Sequence, residues 1–180
     1  SGISLGNVNI SDNSTSGPGG GIYYNQSNSI LTNVTISGNS ATGENGFGGA
    51  IYHTTVSYST LLNCILWNNS PQEIYFSDEA NGFYSGSTTA AYCDIQGGED
   101  GIITNDNGTV SWGEGNINAD PLFCNPDSSD FTLSENSPCV GTGENGANMG
   151  TFGVGCGPIY FWNIVINEIM QNPSAVTDSD

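Results

Sequence analysis

Asn33-Val34-Thr35-Ile36-Ser37-Gly38-Asn39-Ser40 alternates apolar with small polar residues and then breaks on a Gly-Asn-Ser bend. Successive side chains of a strand point to opposite faces, so Val34 and Ile36 share one face while Thr35 and Ser37 share the other. The pattern returns at Asn7-Val8-Asn9-Ile10-Ser11-Asp12-Asn13-Ser14 and at Asn63-Cys64-Ile65-Leu66-Trp67-Asn68-Asn69-Ser70, with a weaker copy at Tyr92-Cys93-Asp94-Ile95-Gln96-Gly97-Gly98. These copies start 26, 30 and 29 residues apart, and a second segment recurs between the first of them: Gly20-Gly21-Ile22-Tyr23-Tyr24, then Gly49-Ala50-Ile51-Tyr52-His53. Leu5, Leu31, Leu61 and Ala90, two residues ahead of each copy, form another apolar column. No segment shows a 3.6-residue period. Short strands at this spacing leave no room for a crossover helix, so the chain reads as all-β coils stacked about 4.8 Å apart in a parallel β-solenoid.

Composition narrows the function. The chain has 180 residues, no Lys or Arg, one His and 18 Asp plus Glu, for a formal net charge of −18. Without cationic side chains, phosphate neutralisation fails, which argues against nucleic acid as a partner and against anionic membranes. Lysine Schiff-base chemistry, arginine clamps and P-loop phosphoryl transfer need residues this chain lacks. No run of about 18 apolar residues suggests a membrane span. Ser1 reads as a cut site inside a longer chain, and the Gly-, Asn-, Ser- and Thr-rich composition suits a secreted or cell-surface protein.

Gly19-Gly20-Gly21-Ile22-Tyr23, Asn33-Val34-Thr35-Ile36-Ser37-Gly38-Asn39-Ser40-Ala41 and Asn63-Cys64-Ile65-Leu66-Trp67-Asn68-Asn69 resemble right-handed parallel β-helices of the pectin-lyase-like type from bacterial secreted proteins. Gly115-Asn116-Ile117-Asn118-Ala119-Asp120-Pro121-Leu122-Phe123, Asp130-Phe131-Thr132-Leu133, Ser137-Pro138-Cys139 and Asn148-Met149-Gly150-Thr151-Phe152 resemble the closing segment of such helices. The resemblance implies a right-handed β-helix of about four coils over residues 1–118 and a loop-rich closing segment over 119–156. Residues 157–162 form a linker. Asn163-Ile164-Val165-Ile166-Asn167-Glu168-Ile169 resembles the first strand of a lamin-tail-like β-sandwich, so 163–180 reads as the start of a truncated second domain, or as a mobile tail.

The outward positions on the repeated strand are Thr35 and Ser37, Ile65 and Trp67, then Asp94 and Gln96. An indole with hydroxyl, amide and carboxylate neighbours is suited to a sugar ring, which makes Trp67, Asp94, Thr35, Ser37 and Gln96 the candidate ligand-binding set. The competing reading packs Trp67 under the 71–89 insertion, against Tyr75, Phe76 or Phe83. Asn13, Asn39 and Asn69 read as a structural ladder, since Asn tolerates a left-handed backbone, bonds its own turn and can bond its stacked copies. Asn7, Asn33 and Asn63 take the same structural reading.

His53 aligns with Tyr24 and reads as filler; no orienting carboxylate, nucleophile or second metal ligand accompanies it. Calcium fits the charge, with Asp127 and Asp130 the densest candidate ligands, set against a plain solvated acidic loop. Cys64 and Cys93 share one inward column on adjacent coils, where either a disulfide or two buried thiols would fit. Cys124, Cys139 and Cys156 crowd the closing segment and leave one thiol over if two of them pair.

The expectation is a bacterial secreted or surface β-helical scaffold, binding polysaccharide or another surface partner and carrying no catalytic set of its own. A pectate-lyase-like base would be Arg or Lys, and the chain has neither. The alternatives are a polysaccharide-degrading enzyme whose catalytic coils precede residue 1, and a calcium-bridged adhesin or surface-layer component.

Overall fold

The computed structural model describes residues 2–54, 56–78 and 86–160. The expected lamin-tail-like strand over 163–180 lies outside them, as do Phe83 and Glu79.

Three parallel sheets run along the stack. The longest holds β1 (Gly2–Gly6), β5 (Asn28–Thr32), β9 (Tyr58–Leu62), β12 (Gly86–Ala91) and β14 (Gly108–Trp112). The second joins β2 (Asn9–Ser11), β6 (Thr35–Ser37), β10 (Ile65–Trp67) and β13 (Asp94–Ile95). The third joins β4 (Ile22–Tyr24), β8 (Ile51–His53) and β11 (Ile74–Phe76), while β3 (Ser14–Thr15) pairs with β7 (Ser40–Ala41). Every pairing among these strands is parallel and in register, so like residues stack: Leu5, Leu31, Leu61 and Ala90 in one column, Ile10, Ile36, Leu66 and Ile95 in another. The expected all-β solenoid is therefore the fold.

The inward columns make one apolar core, with Leu31, Val34, Ile36, Ile51, Leu66, Ile74 and Ile95 sealed from solvent. Bends between the sheets need left-handed backbone, and the chain supplies it twice per level. Asn7, Asn33, Asn63 and Tyr92 have φ of 52–55° between the first and second sheets. Asp12, Gly38, Asn68 and Gly97 have φ of 57–86° just past the second sheet. The left-handed residue is thus the one before Asn13, Asn39 and Asn69, which frees those three for side-chain bonding.

Residues 119–156 fold as β15 (Phe123–Asn125), β16 (Asp130–Ser134) and β17 (Val154–Cys156), with β15 antiparallel and β17 parallel to β16. A Cys124–Cys156 disulfide joins the first and last of these strands. This closing segment lies along the flank of the second sheet. Phe123, Phe131, Leu133, Cys139 and Met149 make a second core with Ile65, and Trp67 packs on it. Thr151 Oγ1 donates to Val8 O at 2.6 Å and to Asn33 O at 3.1 Å, and it accepts Thr35 N–H at 3.0 Å. At the neighbouring level Asn63 O accepts Gly150 N–H at 2.7 Å, and Asn63 Oδ1 accepts Glu144 N–H at 2.7 Å. Gly150 has φ of +80°, and an added Cβ would stand 2.7 Å from Thr35 Oγ1 and from Ile65 Cδ1, so this contact requires glycine.

Candidate functional site

The closing segment reshapes the expected ligand-binding face. Thr35 and Asp94 are buried beneath it, against the expectation that they face solvent. Alternation correctly aims them away from the solenoid core, but a second layer covers that side. Asp94 Oδ1 accepts Ala119 N–H at 3.1 Å and Oδ2 accepts the Cys139 thiol at 3.1 Å, so it anchors the closing segment. Burial raises its pKa to about 6, against the opposing pull of those two donors. Burial and the adjoining Asp94 push the Cys139 thiol well up, so it stays a donor.

Trp67 lines an open groove of about 360 Å³, with the buried Ser37 in its floor. Trp67, Leu122, Phe123, Pro126 and Ile159 supply its apolar lining, and Ser37, Asn68 and Asp120 its polar groups. Of the partners expected in the 71–89 insertion, Tyr75 and Phe76 stack elsewhere, and Phe83 lies outside the described residues. Tyr75 stacks on Phe47 and Tyr52, Phe76 stacks on His53, and the indole instead leans on the closing-segment core. Ser37 Oγ donates to Trp67 O at 2.8 Å and Asp120 Oδ1 accepts Leu122 N–H at 2.9 Å, so the polar wall is held by local bonds.

A second hollow of about 390 Å³ shares Ser37, Asn68 and Pro126 with the groove and adds Asp12, Gly38, Asp127, Ser129 and Phe131. Gln96 stands beyond Asn68, whose N–H it accepts at 2.7 Å, in a third, polar cavity beside Glu73. The five residues expected to act together are therefore divided: Trp67 and Ser37 in the groove, Gln96 next door, Thr35 and Asp94 sealed away.

The Asn column is a ladder with an unexpected end. Asn13 N–H and Nδ2 both donate to Asn39 Oδ1, at 3.1 and 2.9 Å, and Asn39 repeats this to Asn69 Oδ1 at 2.9 Å each. Nδ2 of Asn39 also reaches Ile10 O, and that of Asn69 reaches Ile36 O, both at 2.8 Å. Asn69 then donates its N–H to Glu73 Oε1 at 3.0 Å and Nδ2 to Oε2 at 2.7 Å. Glu73 is buried, and burial lifts its pKa to about 7 although the two Asn69 donors pull it down. The sequence analysis missed Glu73. Its only signal was an acid four residues beyond the last ladder Asn.

His53 is fully buried, its ring between Tyr24 at 5.1 Å and Phe76 at 4.5 Å. Nε2 lies 3.2 Å from Ser59 Oγ and from Thr88 Oγ1, and burial lowers its pKa to about 3, so it is neutral under any physiological condition. Cys64 and Cys93 are free buried thiols, so the disulfide at that column is not formed. The Cys93 sulfur instead accepts Cys64 N–H at 3.4 Å, and Cys64 donates its thiol to Leu62 O at 3.3 Å. Asp127 lines the second hollow, while Asp130 is exposed and bonds Thr132 N–H and Oγ1–H, which lowers its pKa. Among the described residues, no group of three or more His, Cys, Asp or Glu gathers as a metal centre.

Residues 33–54 match the model of the Chlamydia polymorphic membrane protein repeat. The matched stretch runs from the bend at Asn33 through β6, Asn39 and β7 to β8. It holds residues the stack buries: Val34, Ile36, Asn39, Ala50 and Ile51. No curated protein and no solved structure matches the chain. The chain thus carries a β-solenoid built on a repeat similar to that of the Chlamydia polymorphic membrane proteins, which is consistent with a surface scaffold.

Proposed function

We propose that this chain is part of a secreted or cell-surface bacterial protein, a rigid β-helical scaffold that holds carbohydrate in the groove at Trp67. One observation carries the reading: a half-buried indole, flanked by apolar side chains, by the Asn68 amide and by the Asp120 carboxylate, lines an open cleft of about 360 Å³. The scaffold half is supported by the repeat match and by continuous in-register stacking, which fixes the solenoid wall that carries Trp67. Right-handed winding of the pectin-lyase-like kind, usual for parallel crossovers, belongs to the same reading. So does a larger multidomain parent whose next domain begins near residue 163. Phosphate-rich partners do not fit a chain without Lys or Arg.

The test is calorimetric titration with a panel of neutral, acidic and amino oligosaccharides. Binding by at least one, weakened about tenfold or more by a Trp67→Ala variant that keeps the wild-type β-sheet circular dichroism spectrum at the titration temperature, supports the reading. Binding unaffected by Trp67→Ala, or no binding across the panel, overturns it.

A further inference from the structure

The Trp67 groove and the hollow beside it share Ser37, Asn68 and Pro126, so the two form one continuous cleft along the seam between solenoid and closing segment. Three carboxylates line that cleft: Asp120 beside Trp67, and Asp12 with Asp127 in the second hollow. Asp12 Oδ2 accepts Ser129 Oγ at 3.0 Å, which ties the solenoid to the closing segment across the hollow. No lysine ammonium or arginine guanidinium exists in the chain to neutralise these acids. The field in the cleft is therefore negative, and a concave wall of low dielectric concentrates it.

We propose that the cleft selects a glycan bearing protonated amines, an amino-sugar polymer wholly or partly free of N-acetyl groups. The inference rests on the glycan reading of the Trp67 groove and adds its charge specificity. An apolar sugar face covers the indole, and an ammonium on that ring or the next meets both the ring quadrupole and a carboxylate. An N-acetylated ring keeps the stacking and forfeits the charge. A uronic-acid polymer adds like charges to the cleft and is repelled.

The experiment titrates the whole chain at about pH 6, where a sugar amine is protonated, with glucosamine hexamer, N-acetylglucosamine hexamer, a galacturonate oligomer and hexalysine. The glucosamine hexamer is expected to bind about tenfold or more tighter than its N-acetylated form and to weaken steeply from about 50 to about 300 mM salt. Asp120→Asn and Asp127→Asn, which preserve the side-chain shape, each reduce that affinity about fivefold or more. Asp106→Asn, in the exposed bend before β14, changes it less than about twofold. Equal affinity for the two glucosamine forms overturns the charge specificity and leaves the glycan reading standing. Hexalysine binding as tightly, with no loss in Trp67→Ala, overturns the proposal in favour of a cationic peptide. Binding by no sugar at all overturns both readings.

Discussion

Asn39 shows how one residue type does two jobs in a solenoid. Its backbone and side-chain N–H groups both serve the level above, its Oδ1 serves the level below, and its Nδ2 also reaches Ile10 O. Asn39→Ala strands several of these groups in a buried place, and we expect it to cost about 2–4 kcal/mol in urea unfolding. A loss below about 1 kcal/mol would show that water replaces the ladder. Glu73 and Asp94 set the pH dependence. Both have folded pKa values raised above the ordinary carboxylate range, to about 7 and about 6, chiefly by burial. A raised pKa means the folded state binds the proton more readily, so the stabilisation is complete below about pH 4 and is lost as pH rises from there through the folded values of about 6 and about 7. Unfolding midpoints should therefore fall from about pH 4, where the unfolded carboxylates ionise, to about pH 7, and level off above it, at about 1.4 kcal/mol for each unit of pKa shift. Glu73→Gln should flatten the upper part of that profile and Asp94→Asn the lower part. A flat wild-type profile would refute the assignment. Neither acid was singled out for this from sequence, because a pKa shift depends on burial and strand alternation placed Asp94 outside.

At the scale of elements, the strands of the quoted copies were legible, whereas β11, read as part of an insertion, β14 and the closing segment were not. Alternation and register depend on neighbours one or two residues away, and so Val34, Ile36, Leu66 and Ile95 were assigned inward correctly. The closing segment uses single contacts across more than a hundred residues, such as Thr151 to Val8, which no periodicity announces. Its attachment is testable in two ways. Reducing Cys124–Cys156, which closes a loop of 32 residues, should lower stability by about 3–4 kcal/mol. Thr151→Val removes the hydroxyl proton shared between Val8 O and Asn33 O and the acceptor of Thr35 N–H, and should cost about 1–3 kcal/mol. In both cases hydrogen exchange is expected to rise first in residues 119–156 while the β-sheet circular dichroism signal persists. Simultaneous exchange throughout the chain would mean that the closing segment and the coils unfold as one unit. The same layering explains the divided site: Trp67 stands at the edge of the covering layer, while Ser37, Thr35 and Asp94 are buried.

For the whole molecule, a net charge of −18 with no compensating cation opposes compactness. Raising sodium chloride from about 20 to about 300 mM near pH 7.5 should raise the melting temperature by about 3 °C or more, equivalent to about 1 kcal/mol. An unchanged or lower value would mean that the acids are spaced too widely to repel. The amino-acid order by itself determined the solenoid, its stacked apolar columns and the Asn ladder. Each of these follows from residue type and local spacing repeated at every level. Only the tertiary structure decided which outward side chains still meet solvent, that Cys124 pairs with Cys156 while Cys64 and Cys93 stay thiols, and that the Asn ladder ends on Glu73. Those outcomes depend on where one non-repetitive segment and one bend come to lie against the stack, and burial and distance in three dimensions set them.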